Sequence, residues 1–237
     1  MSEQQIIWIT GASSGIGKAT ALKLAMSGDT VLISSRNEEA LEKVKQEAGD
    51  NAGRIHPYPC DVSDAESVKR TTDAIFASHG QVDILINNAG TTVFKSFEDS
   101  TIDDLDALYG VNLRGAFLCT KAVLPSMLER RDGMIVMVNS MAAKAQFKDS
   151  SVYAATKAGL MMMTEDLRFE VQKKGVRVIS VYPGATATNI WPEKMLEKFG
   201  ERMMKPETIA DSIIHAVKAP SEALVSEITI QPPTGGL

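Results

Sequence analysis

Residues 10–17 read Thr10-Gly11-Ala12-Ser13-Ser14-Gly15-Ile16-Gly17, directly after the apolar run at residues 6–9. An apolar run that leads into closely spaced glycines and then into a helical pattern predicts a strand, a tight turn and a helix. Free backbone N–H groups and the positive end of the helix dipole meet at such a turn, where a pyrophosphate can bind. The alternative is a glycine-rich turn that holds no ligand.

The glycine spacing separates this turn from two other phosphate-binding motifs. It is Gly-x-x-x-Gly-x-Gly, which differs from the Gly-x-Gly-x-x-Gly dinucleotide fingerprint. It also differs from a Walker A loop, because Ala19 stands after Lys18 where a Mg²⁺-binding Ser or Thr is needed. The motif therefore disfavours phosphotransferases and keeps dinucleotide binding open.

Short β-rich runs alternate with longer helical patterns along the chain. The candidate strands are residues 6–9, 30–34, 54–59, 84–87, 134–139, 176–181 and 226–230. The candidate helices include residues 16–26, 38–48, 66–77, 105–128 and 153–171. This alternation predicts an α/β fold in which a parallel sheet is covered by helices on both faces. No linker or low-complexity block interrupts it, so we expect one domain over residues 1–237.

Residues 188–205 break the alternation with a short amphipathic segment beside the expected site. Two interpretations are open: a substrate lid, or a surface helix pair that packs on the core or on another subunit.

Composition excludes several classes of partner. The formal charge of -5 and a pI near 5.3 argue against a nucleic-acid surface, which needs clustered basic residues. The only cysteines, Cys60 and Cys119, are expected to be buried thiols in a reducing cytosol. No apolar run approaches the ~18 residues of a membrane span, so we expect a cytoplasmic protein without a membrane partner. The three histidines lack metal-ligand spacing, so no metal is expected and solvated histidines are the simpler interpretation.

Tyr153 and Lys157 are four residues apart in a predicted helix and therefore share one face. A free phenol titrates near ~10, and a nearby cation lowers that pKa. We therefore expect Lys157 to lower the pKa of Tyr153, which would make Tyr153 a proton donor or acceptor, and to hold a ribose hydroxyl.

Several motifs, in their order and spacing, resemble the short-chain dehydrogenase/reductase family in its single-domain form. They are residues 10–17, Asp61-Val62, Asn87-Asn88-Ala89-Gly90, Asn112, Ser140, Tyr153-x-x-x-Lys157 and Pro183-Gly184. The resemblance covers nearly the whole chain. It implies a doubly wound, Rossmann-type sheet of seven parallel strands with helices on both faces, and a nicotinamide cofactor across the carboxyl ends of the strands.

The resemblance also implies which residues bind that cofactor. They are Gly11, Ser13, Ser14, Gly15, Ile16, Gly17, Ser35, Arg36, Asp61, Val62, Asn88, Ala89, Gly90, Tyr153, Lys157, Pro183, Gly184, Thr186 and Thr188. Asp61 would contact the adenine ring, and residues 87–90 would close the central strand against the adenosine. The loop from Pro183 would face the nicotinamide, with Thr186 and Thr188 near its carboxamide and the pyrophosphate.

The catalytic residues implied are Asn112, Ser140, Tyr153 and Lys157. A hydride would pass between nicotinamide C4 and a substrate carbonyl carbon while Tyr153 moves the proton and Ser140 steadies the oxygen. Asn112 would bend its helix and link Lys157 to solvent through water.

The end of the second strand indicates which nicotinamide cofactor is used. NAD-using relatives usually carry an acid at about Ser35, which accepts bonds from the ribose hydroxyls. Here Arg36 follows instead and offers a planar cation to a 2′-phosphate. We therefore predict NADP(H). The alternatives are an NAD-dependent dehydrogenase of the same fold, and a solvated role for Arg36.

Substrate and partners are less closely defined. Lys144 and Lys148 follow Ser140 and would attract a carboxylate, which favours a small carbonyl or hydroxy substrate such as a 3-hydroxy acid; a solvated loop is the alternative. A catalytically idle NADP(H)-sensing protein and a structural subunit are the competing functions. By resemblance, we expect a homotetramer or homodimer that associates through the helices at residues 105–128 and 153–171.

Overall fold

The computed structural model describes residues 4–220, 222–233 and 235. Within these residues, seven strands form one sheet in the order β3-β2-β1-β4-β5-β6-β7, and every pairing is parallel. The strands are β1 (Ile6–Thr10), β2 (Thr30–Ser34), β3 (Ile55–Pro57), β4 (Ile84–Asn87), β5 (Gly133–Val138), β6 (Val176–Pro183) and β7 (Glu227–Ile230). The predicted seven-stranded parallel sheet is confirmed.

Eight α-helices lie within the described residues. They are α1 (Gly15–Met26), α2 (Glu38–Glu47), α3 (Ala65–His79), α4 (Ile102–Tyr109), α5 (Ala116–Arg130), α6 (Ser151–Val171), α7 (Glu193–Phe199) and α8 (Pro206–Val217). Side chains fix where several of them begin, because a side-chain oxygen satisfies a first-turn N–H that has no partner in the helix. Asn37 caps α2, Asp64 caps α3, and Thr101 with Asp104 forms a capping box at α4.

Both faces of the sheet are buried. Along β1, Ile7 and Ile9 pack on one face with residues of α1 and α8, and Trp8 packs on the other with residues of α3 and α5. Successive side chains of a strand point to opposite faces, so a strand buried on both sides is apolar throughout. This is why the strands appear in the sequence as continuous apolar runs.

The strand order reverses between β1 and β4, and the chain leaves their carboxyl ends in different directions. In open α/β sheets this reversal opens a crevice where ligands bind. The loops after Thr10 and Asn87 therefore face each other at the expected site.

Some boundaries differ from those predicted. The continuous helix expected at residues 105–128 is two helices, α4 and α5, joined by a π-helical turn at Gly110–Gly115. The strand expected at residues 54–59 covers only Ile55–Pro57. Arg54 ends the 3₁₀ turn before this strand, and Cys60 lies beyond its carboxyl end. Cys60 and Cys119 are buried thiols not joined to each other.

Two of the three histidines are less solvated than expected, whereas His215 is exposed. His56 on β3 and His79 at the end of α3 have ring centroids 5.0 Å apart, and the His79 ring is hydrogen-bonded to the Tyr58 hydroxyl at 2.9 Å. Burial lowers the pKa of both rings, and for His56 the neighbouring His79 adds to the effect. In the part of the chain that is described, no group of three or more His, Cys, Asp or Glu side chains could hold a metal ion.

Candidate active site

A hydrogen-bonded bracket joins the glycine turn to the loop after β4. The Thr10 hydroxyl accepts hydrogen bonds from the backbone N–H groups of Asn88 and Ala89, both at 3.1 Å. The Asn88 side chain donates to the carbonyls of Thr10 and Gly11, both at 3.0 Å. Asn88 therefore holds the turn in place with its side chain.

The glycines of the turn meet different neighbours. A Cβ on Gly11 would lie 2.7 Å from Ala89 Cα, and one on Gly17 would lie 2.4 Å from Asn88 Nδ2. These two glycines let the two loops approach each other. Gly15 faces Thr188 in the loop after β6. Gly11 and Gly15 have φ angles of +65° and +55°, and both line the cleft, so two positions of the turn combine a left-handed backbone with a place on the cleft.

Helix α1 begins at the glycine turn, where no described side chain caps it. Its N-cap residue is Ser14, and among the described residues no side chain caps the first turn and no acid lies in it. The Ser14 hydroxyl is instead directed to the Asn189 side chain at 3.1 Å. The first N–H groups of α1 are thus left for a ligand, and the helix dipole favours an anionic one.

At the end of β2, Ser35 donates its hydroxyl proton to the Asn37 carbonyl at 3.2 Å, and the Arg36 side chain is exposed. Arg36 lies close enough to Asp61 to affect its carboxyl. Burial alone would raise the pKa of Asp61, but hydrogen bonds from Ser63 and the charge of Arg36 lower it overall. Asp61 is therefore an anion at neutral pH, fixed by Ser63 at 2.7 and 2.9 Å.

Tyr153, Ser140 and Lys157 meet below the cleft. The Tyr153 phenol is a hydrogen-bond partner of the Ser140 hydroxyl, which also accepts from the Ala142 N–H at 3.1 Å. Lys157 is buried, with 3% of its surface exposed, and donates to the Val138 carbonyl at 3.0 Å. Its Nζ lies 5.9 Å from the centre of the Tyr153 ring.

The expectation that Lys157 lowers the pKa of Tyr153 is not met in this structure. Burial raises the pKa of Tyr153, and the hydrogen bond with Ser140 offsets only part of that rise. Burial also lowers the pKa of Lys157, to about 8. The Lys157 ammonium points to the Val138 carbonyl. Desolvation therefore raises the pKa of the phenol by more than the ammonium charge lowers it.

Asn112 lies in the π-helical turn, and its side chain is fully engaged. Its Oδ1 accepts from the Thr91 N–H at 2.8 Å, and its Nδ2 donates to the Thr91 carbonyl at 2.9 Å and to the Thr156 hydroxyl at 3.1 Å. These bonds tie the loop after β4 to α6. They show Asn112 holding these elements together; the water-linked proton relay stays a prediction.

One cavity of about 1200 Å³ brings most of the predicted site residues together. It is lined by Gly11, Ser13, Ser14, Gly15, Ile16, Ser35, Arg36, Asp61, Val62, Asn88, Ala89, Gly90, Ser140, Tyr153, Lys157, Pro183, Gly184, Thr186 and Thr188. Two predicted residues are not in its lining. Gly17 packs behind the turn against Asn88, and Asn112 lies behind the loop that it ties down.

The segment at residues 188–205 contributes Asn189, Ile190, Trp191, Pro192, Met195 and Phe199 to the same cavity. It contains α7 and is joined to the loop after β6 by the Trp191 indole, which donates to the Thr186 carbonyl at 3.0 Å. Its role as a lid stays a prediction. Phe94, in the loop after β4, also lines the cavity and was not predicted, because no spacing rule points to an aromatic residue in that loop.

The fold and this site define an oxidoreductase class, and the chain belongs to the short-chain dehydrogenase/reductase family. A family model described as short chain dehydrogenase matches residues 5–198. Sepiapterin reductase of Chlorobaculum tepidum is 34% identical over 241 aligned residues, which cover 99% of this chain and 98% of that protein.

Two solved structures are similar over almost the full chain. A metagenomic short-chain oxidoreductase in complex with NADP has a TM-score of 0.85 and 30% identity, with 96% of each chain covered. A 3-ketoacyl-(acyl-carrier-protein) reductase from Brucella melitensis complexed with NADH has a TM-score of 0.88 and 27% identity, with 98% of each chain covered.

The described helices of this chain include none long and apolar enough to cross a membrane.

Proposed function

We propose that this protein is an NADP(H)-dependent oxidoreductase that transfers a hydride between the nicotinamide and the carbonyl carbon of a small substrate. One observation carries the proposal: Tyr153, Ser140 and Lys157 line the same cavity as the glycine turn and Arg36. Proton-transfer groups and a dinucleotide cleft in one cavity are what a nicotinamide-dependent reaction needs.

The residues present fit a dinucleotide with a 2′-phosphate. The uncapped first turn of α1 offers N–H groups to a pyrophosphate, and the exposed guanidinium of Arg36 offers paired donors to a phosphate. Neither Ser35 nor Arg36 carries the negative charge that would repel it. The NADP complex of the metagenomic relative supports this choice, whereas the Brucella relative was solved with NADH.

The site's own groups define a proton donor and an oxygen-binding pair. When bound, the nicotinamide supplies or accepts the hydride. Because burial raises the pKa of Tyr153, its phenol is protonated at neutral pH and acts as an acid toward a substrate oxygen. The Ser140 hydroxyl stabilises the same oxygen as charge develops on it. At neutral pH this protonation state favours reduction of a carbonyl.

A cofactor titration tests the cofactor assignment. Nicotinamide fluorescence should show tighter binding of NADPH than of NADH, because only NADPH carries the phosphate that Arg36 can bind. Arg36→Gln should weaken NADPH binding about 10- to 100-fold, since hydrogen bonds to charged groups contribute roughly 1.5–3 kcal/mol. NADH binding should change little. Arg70→Gln is the matched control, because Arg70 is an exposed arginine on α3 that does not line the cavity.

Two results would contradict the assignment. A preference for NADH would support the alternative of an NAD-dependent dehydrogenase. Failure of the unmodified protein to bind either nucleotide would contradict the enzyme proposal as a whole.

Substitution of Tyr153 separates the enzyme from an idle NADP(H)-sensing protein. Tyr153→Phe removes only the hydroxyl, so NADPH binding should stay within about twofold while turnover falls by about 10²- to 10⁴-fold, the usual contribution of a general acid. Tyr109→Phe, at an exposed tyrosine on α4, is the control. Unchanged turnover in Tyr153→Phe would disprove the acid role.

The two lysines that indicated a carboxylate-bearing substrate have different surroundings. Lys144 forms an ion pair with Glu227 at 2.5 Å and lies 3.8 Å above the Tyr182 ring. Its charge is thus partnered at the β7 edge, while Lys148 lines the cavity. A 3-hydroxy acid substrate would therefore bind its carboxylate at Lys148 alone, whereas a neutral carbonyl substrate needs neither lysine.

We also propose that the chain associates with a second copy through α4, α5 and α6. These helices expose Leu105, Tyr109, Phe117, Met162 and Phe169. Helix α4 packs against α6, so the exposed side chains of these two helices belong to neighbouring elements. Apolar side chains grouped on one surface of a protein mark an interface. A homodimer, or a homotetramer built from it, would cover them.

The expected cytoplasmic location stays part of the proposed function.

A further inference from the structure

Two aromatic rings from distant parts of the chain stack beside the cleft. The rings of Phe94 and Trp191 have centroids 5.0 Å apart and planes inclined by 15°. Phe94 belongs to the loop between β4 and α4, and Trp191 to the segment between β6 and α7. Both line the cavity that contains Tyr153. The pair therefore bridges the two loops on either side of the substrate end of the cleft.

Trp191 is fixed by its own hydrogen bonds. Its indole N–H donates to the Thr186 carbonyl at 3.0 Å, and its backbone N–H donates to the Thr188 carbonyl at 3.2 Å. The indole nitrogen is thus satisfied by protein, which leaves its ring as apolar surface.

Phe94 is held between two anchors. On one side, both backbone groups of Thr91 bond to the Asn112 side chain. On the other, the Lys95 N–H donates to the Asp149 carbonyl at 3.0 Å. Since the Trp191 indole is hydrogen-bonded and the backbone on both sides of Phe94 is anchored, the stack exists before a substrate arrives, and binding to it costs little ordering of the protein.

Other apolar side chains line the same cavity, together with polar ones such as Lys148 and Asn189. Phe147 and Met141 contribute from the loop after β5, and Met195 and Phe199 from α7. Aromatic and thioether groups attract a flat ring by stacking and by sulfur–ring contact.

We propose that the Phe94–Trp191 pair is a specificity wall that receives a planar aromatic group attached to the reacting carbonyl. The inference rests on the proposed function and narrows its substrate class to aryl ketones, in preference to small aliphatic carbonyls and hydroxy acids. Phe94 and Trp191 act by binding the substituent, while Tyr153 and Ser140 act on the carbonyl oxygen.

The test compares two diketones in NADPH-dependent reduction. 1-Phenyl-1,2-propanedione differs from 2,3-butanedione by a phenyl group in place of one methyl, and both present an activated carbonyl. The unmodified protein should show a kcat/KM at least tenfold higher for the phenyl compound. Trp191→Ala should reduce this ratio about tenfold, within the range measured for loss of an apolar pocket contact.

Two further variants keep the test decisive. Phe94→Leu retains an apolar side chain but removes the ring, so it should lower the ratio. This variant tests the proposal if circular dichroism shows that Trp191→Ala does not fold. Phe97→Ala is the matched control, because Phe97 lies in the same loop, is 78% exposed and does not line the cavity. It should leave the ratio unchanged.

The outcomes separate this inference from the proposed function. A ratio near one in the unmodified protein, or a ratio unaffected by Phe94→Leu, would overturn the specificity wall. Reduction of the diketones in the same experiment would still support the proposed oxidoreductase. Absence of reduction of both diketones in NADPH-loaded protein would overturn both.

Discussion

Replacing Thr10 with valine tests the bracket between the glycine turn and the loop after β4. Valine matches the shape of threonine but cannot accept the hydrogen bonds that Asn88 and Ala89 donate at 3.1 Å. A buried N–H without a partner costs about 1–3 kcal/mol, so leaving two N–H groups without a partner should lower the free energy of unfolding by about 2–6 kcal/mol. For a chain of this size, that corresponds to a fall in Tm of roughly 4–24 °C.

The assay is urea denaturation followed by tryptophan fluorescence, with Thr10→Ser as the control. Serine keeps the hydroxyl and loses one methyl group, so it should cost only about 1 kcal/mol. NADPH affinity should fall in Thr10→Val and persist in Thr10→Ser, because the bracket positions the turn. A Thr10→Val stability within about 0.5 kcal/mol of Thr10→Ser would refute the reasoning.

Three other predictions follow from the same structure. Burial lowers the pKa of Lys157 from 10.5 to about 8, so between these pH values the unfolded chain holds this proton and the folded protein does not, and stability should rise with pH. Lys157→Met should raise the free energy of unfolding at pH 7 by about 3 kcal/mol, and an unchanged denaturation midpoint would contradict this. Gly17→Ala should lower the Tm by several degrees, because the methyl would lie 2.4 Å from Asn88 Nδ2, whereas Gly53→Ala, with nothing within 4 Å, should be nearly neutral. Phe169→Glu should shift the protein toward monomers in light scattering if α6 forms the interface, whereas Phe97→Glu should not; equal masses for both would contradict the interface.

Much of the fold could be predicted from the sequence because its signals are local. Strands buried on both faces leave continuous apolar runs, and the runs at residues 6–9, 30–34 and 84–87 agree with β1, β2 and β4 to within one residue. Helix α8 was not among the predicted helices. The π-helical turn was also not predicted, since helical spacing alone does not show where one extra residue is accommodated.

The candidate site was predictable to a similar extent. The spacing of Tyr153 and Lys157 on one helix is local, and both residues line the cavity as the sequence implied. The Phe94–Trp191 stack was not predictable, because it joins two loops distant in the chain. The rise in the pKa of Tyr153 was missed for a different reason: it depends on how much water the folded cleft excludes.

The π-helical turn at Gly110–Gly115 also fixes the length of this part of the chain. A π-helical turn holds one residue more than an α-helical turn, so deleting one residue here would let α4 and α5 join as one continuous α-helix with their register kept. The Asn112 side chain would then lose its place between Thr91 and Thr156. A deletion within α5 would instead turn the rest of that helix by about 100° and take Val123 out of its core. Single-residue deletions at residues 110–115 should therefore leave the fold stable and damage the cleft, whereas deletions within α5 should unfold the protein.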